Sequence, residues 1–423
     1  MRGEQDLIRT LRTAADQVEQ VDLARGVAAR RHARRIRQRV RMALAAAAAV
    51  AVAGGTTAAL SVTSSGAERR AEERWTQADE QWTKVDEPWP QVEKRRPQAV
   101  AKVPARTAGG AAILPVTALS PAEVLLLVAA PAKGKPSRLD VYDMTRRTTR
   151  TLAQVPAVKG KDGPDSVTAG PDHIAWYVTT GGTTTFWAVP RTGGTATRVA
   201  TTTGNVAAFG VTDDSLVWSP SNGGVLRVPL TGGTPARVPG GDGLTLTSWP
   251  WAAHRSGSGS PLANQDRAVD LETGRSFDVR APEGTRFLRC GPRWCAGELN
   301  GGLTVRRVDG TGATTLLLGL RLYAPRAPYA DRYVLTVPKT PPQTGGGPLA
   351  VLFDLEAGTT IGLGEQRPGT LGTPIAVSKS SSATILHWDA DAQPPATCAE
   401  KTCAPMTPGR KEWTVLNLLA LTR

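Results

Sequence analysis

Seven times in this chain a short apolar run ends on a turn residue, at Asp143, Pro190, Pro229, Asp270, Asp309, Asp354 and Asn417. The intervals between these positions are 47, 39, 41, 39, 45 and 63 residues. A period of roughly 40 residues with several short strands per unit is the pattern of a β-propeller blade. One small sheet cannot hide both of its faces, so such units must stack around a common axis. The spacing therefore predicts an all-β, seven-bladed β-propeller over residues 111–423, with six or eight blades as the nearest alternatives and a pair of β-sandwiches as the other all-β solution.

The clearest pair of units is Phe186-Trp187-Ala188-Val189-Pro190-Arg191-Thr192-Gly193-Gly194 and Val225-Leu226-Arg227-Val228-Pro229-Leu230-Thr231-Gly232-Gly233. Each Gly-Gly stands where a hairpin requires positive φ, and each is followed by a further short strand. Upstream lie His173-Ile174-Ala175-Trp176 and Ser215-Leu216-Val217-Trp218, a second matched pair. The long last interval holds a cysteine-containing insertion.

The N-terminal quarter has a different texture. Arg30, Arg31, Arg34, Arg35, Arg37, Arg39 and Arg41 crowd into twelve positions, and the next 21 residues, Met42 to Val62, carry no charge. At about 1.5 Å per residue that run reaches across roughly 30 Å of hydrocarbon. Arginine is retained on the cytoplasmic side, which predicts a single-pass protein with its N-terminus inside and the repeats exported. Cleavage after Ala51-Val52-Ala53 is the other reading of this stretch, although its leader is long for a signal peptide. Four segments follow from this: a helical cytoplasmic arm at 1–41, a transmembrane helix at 42–62, a stalk or linker at 63–110, and the repeat domain. In the stalk Trp75, Trp82 and Trp89 recur every seven residues, and the first two would share one face of a helix ending by Glu87.

The chain's net charge of +14 does not point to nucleic acid. Residues 1–41 hold eleven arginines against five carboxylates, and the dense part abuts the apolar run, where basic residues meet an anionic leaflet. No aromatic residue accompanies those arginines to stack on bases.

All four cysteines fall in the exported part, as Cys290 with Cys295 and Cys398 with Cys403. An oxidising compartment and close spacing favour two local disulfides, each clipping a loop. No histidine neighbours either pair, as a zinc site would require.

Motifs for catalysis are absent. There is no Gly-x-Ser-x-Gly elbow and no sialidase-type aspartate box, and Asp389-Ala390-Asp391 lacks the remaining ligands of a calcium loop. His32, His173, His254 and His387 are scattered through separate units. No catalytic, metal or cofactor residue is assigned, and no cofactor is expected. Loop aromatics such as Trp249, Trp251 and Tyr329 are candidates for a binding face. Two function classes remain: a binding or sensor module for a protein, peptide or glycan, and a propeller-built hydrolase or lyase with its site at the channel mouth.

Two resemblances accompany these residues. The strand-turn-strand units resemble those of TolB-like and YVTN-like exported propellers. They lack the Gly-His and Trp-Asp marks of the WD40 class, since His387-Trp388-Asp389 occurs once. The Leu-Ile-Arg-Thr-Leu-Arg opening, Val21-Asp22-Leu23-Ala24 and the arginine run into an alanine-rich helix resemble actinobacterial membrane proteins related to anti-sigma factors. That resemblance implies a cytoplasmic sigma factor as a possible partner, although the zinc-type signature is missing.

Overall fold

The computed structural model describes residues 89–130, 136–161, 163–255, 263–311, 319–338, 347–365, 375–377, 383–389 and 411–421. The arginine run at 30–41, the apolar stretch 42–62, Trp75 and Trp82, and Cys398 with Cys403 lie outside these residues. Among the described residues no helix is long and apolar enough to cross a membrane.

The strands form seven antiparallel sheets in chain order. Blade 1 is built from Ile113–Ser120, Glu123–Val128, Arg138–Asp143 and Thr148–Gln154, each strand pairing with the next. Blades 2, 3, 4 and 6 repeat this four-strand meander. Blade 5 shows three strands among the described residues, Arg286–Cys290, Trp294–Leu299 and Gly302–Arg307. The seven-bladed propeller is therefore the observed fold. The seven turn residues read from the sequence sit at or just beyond the third-strand end of each blade, from Asp143 in blade 1 to Asn417 in blade 7.

The ring is held by a separate apolar core at every blade junction. Leu125, Leu139, Ile174 and Trp176 join blades 1 and 2, and Phe186, Phe209 and Trp218 join blades 2 and 3. Similar clusters follow around the ring until Val124, Leu126, Ile385 and Trp413 join blade 7 back to blade 1. Alternate residues of one strand serve two different cores, because successive side chains point to opposite faces. In blade 1, Val124, Leu126 and Val128 face blade 7 while Leu125 and Leu127 face blade 2. Val124 to Val128 thus reads as a continuous apolar run although it belongs to a single strand in a sheet.

One boundary differs from the sequence reading. Residues 63–110 read as a stalk, yet Val100–Pro104 is the outermost strand of blade 7, paired with Glu412–Asn417 from Val100↔Leu416 to Pro104↔Glu412. Blade 7 is completed by Ile375–Val377 and Ile385–Trp388, so the two ends of the repeat domain meet in one sheet. Val103 is fully buried in the junction with blade 1. Just before this strand, Gln91 bridges Gly362 of blade 6, Val92 is fully buried, and Trp89 packs against the core between blades 5 and 6. Lys102 and Pro104, which read as linker residues, lie in this edge strand, where proline and lysine are tolerated because one side needs no partner.

Candidate functional site

The first strand of each blade lies nearest the axis, and six blades contribute to a cavity of about 730 Å³ there. That volume lies in the range of small-ligand sites, roughly 300–1,000 Å³. Its apolar wall comes mainly from blade 3, through Val206, Ala208 and Phe209, and from Leu246 of blade 4. Thr245, Thr247 and Ser248 add hydroxyls, and Tyr177 of blade 2 borders the same space. The connection between the first two strands of blade 6 folds inward and supplies Pro325 to Asp331.

Three arginines reach this cavity from three blades: Arg255 from blade 4, Arg289 from blade 5 and Arg326 from blade 6. Arg255 is exposed at the end of Trp251–Arg255. Arg289 is buried, and its guanidinium donates to the carbonyls of Ala263 at 2.6 Å and Leu288 at 2.9 Å. Burial, with the like charge of Arg255 nearby, pushes the Arg289 pKa down to about 10. Arg326 lies over the ring of Tyr329, 4.6 Å from its centroid.

Among the described residues Asp331 is the carboxylate lining the cavity, and it is already engaged. Arg293 Nε donates to it at 2.9 Å, and the backbone N–H groups of Arg293 and Trp294 add bonds of 3.1 and 3.3 Å. Burial raises the Asp331 pKa against the opposing pull of these bonds. Arg293 continues to Glu356, which Arg332 meets at 3.0 Å, and Arg332 also clamps Asp354 with bonds of 2.8 and 2.7 Å. This charged ladder fixes the blade 6 connection against blade 5. Gly291 is required at the crossing, because a Cβ there would collide with the Asp331 carboxylate.

The sequence-predicted residues divide clearly. Cys290 and Cys295 form a disulfide across the first hairpin of blade 5, directly opposite one another in register. Cys290 N–H also donates to Gln265 Oε1, which ties the bridged hairpin to blade 4 beside the cavity. Of the three candidate aromatics, Tyr329 lines the cavity, buried to 5% exposure. Trp249 lies away from it, with Nε1 donating to Glu272 and Arg227 over its ring. Trp251 stacks on Phe277. His173, His254 and His387 stand in blades 2, 4 and 7, and among the described residues no three His, Cys, Asp or Glu side chains converge.

Sequence reasoning missed the arginine cluster. Each of its members is a single basic residue in its own unit, and no local spacing connects them. The available signal was the repeat itself, which places equivalent blade positions around one axis.

No family model matches the chain, and no curated protein matches it. Among solved structures it is similar to TolB from Acinetobacter baumannii, at 14% identity and a TM-score of 0.32, covering 47% of this chain and 53% of that one. It thus spans about half of TolB. It is also similar to the β-propeller domain of the Trilobed protease from Pyrococcus furiosus, at 10% identity and a TM-score of 0.40, covering 66% and 90% of the two chains. BamB from Moraxella catarrhalis gives 11% identity and a TM-score of 0.33 over 72% and 85%.

Proposed function

We propose that this chain is a binding or sensor module, anchored by residues 42–62 and displaying its propeller on the outer side of the membrane, and that the axial cavity is where it receives a protein, peptide or glycan. The observation that carries this reading is the lining of that cavity. Its polar groups are guanidinium, hydroxyl and amide, which orient and hold a ligand, and its carboxylate is committed to an ion pair that builds the wall. A pair of free carboxylates or a nucleophile beside a base would favour the hydrolase or lyase reading instead. The arginine-rich arm and apolar stretch support the anchoring, through the positive-inside rule.

Photo-cross-linking tests the reading. Benzoylphenylalanine is introduced at Ala207, an exposed cavity-lining position, and separately at Thr149 on the outer strand of blade 1, in cells expressing the full chain. A specific adduct from Ala207 and none from Thr149 is the expected result. Adducts from Thr149 alone would move the function to the outer edge of the ring.

A further inference from the structure

The outer strand of a blade presents a row of unpaired N–H and C=O groups, and proteins guard such edges by shortness, charge, proline or a covering segment. Among the described residues, the outer strands of blades 3 and 4 are short, Ala236–Arg237 and Ser276–Asp278. The edge of blade 6 is covered by its own chain, where Gly362 N–H donates to the Pro90 carbonyl at 2.9 Å. Blade 7 carries Lys102 and Pro104 on its edge. Blade 1 carries Arg150 in the middle of Thr148–Gln154, and its Leu152 carbonyl accepts from Gly194 of blade 2 at 3.2 Å. The second half of the outer strand of blade 2, Thr197–Thr203, has none of these guards.

That half is a ladder of threonines, with Thr201, Thr202 and Thr203 opposite Thr185, Thr184 and Thr183. Thr201 and Thr203 are exposed. Gly204 N–H donates inward to the Gly182 carbonyl at 2.8 Å. A trans peptide sets its carbonyl opposite its N–H, so the Thr203 carbonyl points outward. Alternation along the strand sends the Thr203 N–H and both backbone groups of Thr201 the same way. Residues 174–190 and 199–212 carry no charge, in a chain whose net +14 makes its copies repel one another elsewhere.

From this unguarded and uncharged edge we infer that blade 2 is an interface between two copies of this chain, joined by antiparallel pairing of Thr201–Thr203 across a two-fold axis at Thr202. Thr201 of each copy then exchanges both backbone bonds with Thr203 of the other. Thr202 meets its own counterpart as a non-hydrogen-bonded pair, with Cα atoms about 4.5 Å apart. Threonine pairs across strands are favourable, and no like charges are brought together. A second copy fits this edge better than a strand of other chemistry. A charged strand gains no ion pair along 199–205, and an apolar one leaves the threonine hydroxyls facing groups that cannot bond them. Self-pairing of the blade 1 edge about Arg150 would instead set two guanidinium groups together. The interface is independent of what the axial cavity receives.

Cysteine cross-linking and sedimentation of the detergent-solubilised full chain test the inference. A Cα separation of about 4.5 Å suits a disulfide, so Thr202→Cys is expected to give a covalent dimer under mild oxidation. The parent and Thr149→Cys, on the blade 1 edge, set the background and should give far less. Equilibrium sedimentation of the parent should show reversible, concentration-dependent association that stops at two copies, because an isologous contact closes on itself. Thr203→Pro removes one outward N–H from each copy at an edge position that tolerates proline. It is expected to weaken association at least about tenfold, with two interfacial donors lost. Its melting temperature, measured where the parent is monomeric, should stay unchanged, which separates lost pairing from lost fold. A parent that stays monomeric up to about 100 μM would overturn the inference. So would linkage through Thr202→Cys no greater than background, or a Thr203→Pro variant that associates as well as the parent. Growth beyond two copies would overturn it too, by showing head-to-tail pairing of unlike edges.

Discussion

Val100 pairs with Leu416 in one antiparallel ladder, so residues more than three hundred positions apart close the ring. The outermost strand of the last blade comes from the beginning of the repeat domain, and the remaining three come from its end. Opening the propeller at this point requires breaking a sheet as well as parting two packed faces. A second tie crosses to the next blade, where Trp413 Nε1 donates to the carbonyl of Ile113 at 2.8 Å.

The closing strand sets a truncation boundary. Full burial of a valine such as Val103 stabilises by about 1.5–3 kcal/mol. Removing residues 1–104 is expected to cost more than this and to leave an unpaired edge that promotes association. A form beginning at Trp89, which keeps this strand, is the reference for that cost. Thermal melts of the two truncated forms, followed by circular dichroism, check the difference.

Trp413→Phe keeps most of the ring that packs between blades 7 and 1, and its edge-on contact with His387. It removes the donor to Ile113 and leaves a buried carbonyl without that bond. A loss of about 1–3 kcal/mol is expected, measured by denaturant titration. A loss below about 0.3 kcal/mol would mean that this bond contributes little to closure.

Aspartates at the third-strand ends tie stability to pH. The backbone N–H groups of Arg146 and Thr145 donate to Asp143 at 2.8 and 2.9 Å and hold its pKa below the usual carboxylate value. Asp309 is lowered in the same way by the backbone N–H and hydroxyl of Thr311. A depressed folded-state pKa gives stability that is complete above the unfolded value and is lost as pH falls through the folded one. The melting temperature should therefore drop between about pH 5 and pH 2, and less steeply in a variant carrying Asp143→Asn and Asp309→Asn. An unchanged slope in that variant would assign the acid sensitivity to other carboxylates.

Reduction of Cys290–Cys295 should leave the propeller folded. The bridge closes a separation of five residues that the hairpin already holds together, and the chain-entropy contribution of so short a loop is about 2 kcal/mol at most. A double alanine variant is expected to melt cooperatively at a modestly lower temperature. Loss of cooperative melting in that variant would show instead that the bridged hairpin, through Gln265, organises blades 4 and 5.

Much of this architecture is legible in the sequence because it is local. Each blade is a meander of neighbouring strands, so the turn residues recur at blade spacing, and Gly193 and Gly232 take the positive φ their hairpins need, 101° and 92°. Cys290 and Cys295 are close in sequence and close in space for the same reason. The buried Trp176 and Trp218 occupy equivalent second strands, as their matched segments imply.

What required the tertiary structure is non-local. Val100–Pro104 has no partner nearby in the chain, and its composition reads as a linker until Glu412–Asn417 arrives beside it. Arg255, Arg289 and Arg326 are ordinary basic residues in three separate units, and only the packing of blades 4, 5 and 6 side by side brings them to one cavity. The sequence by itself determined the blade, its alternating faces and its turns, since these depend on side-chain period and backbone conformation over a few residues. The identity of the closing strand and the charge of the axial cavity were decided by tertiary structure, because both arise between strands that no single hairpin joins.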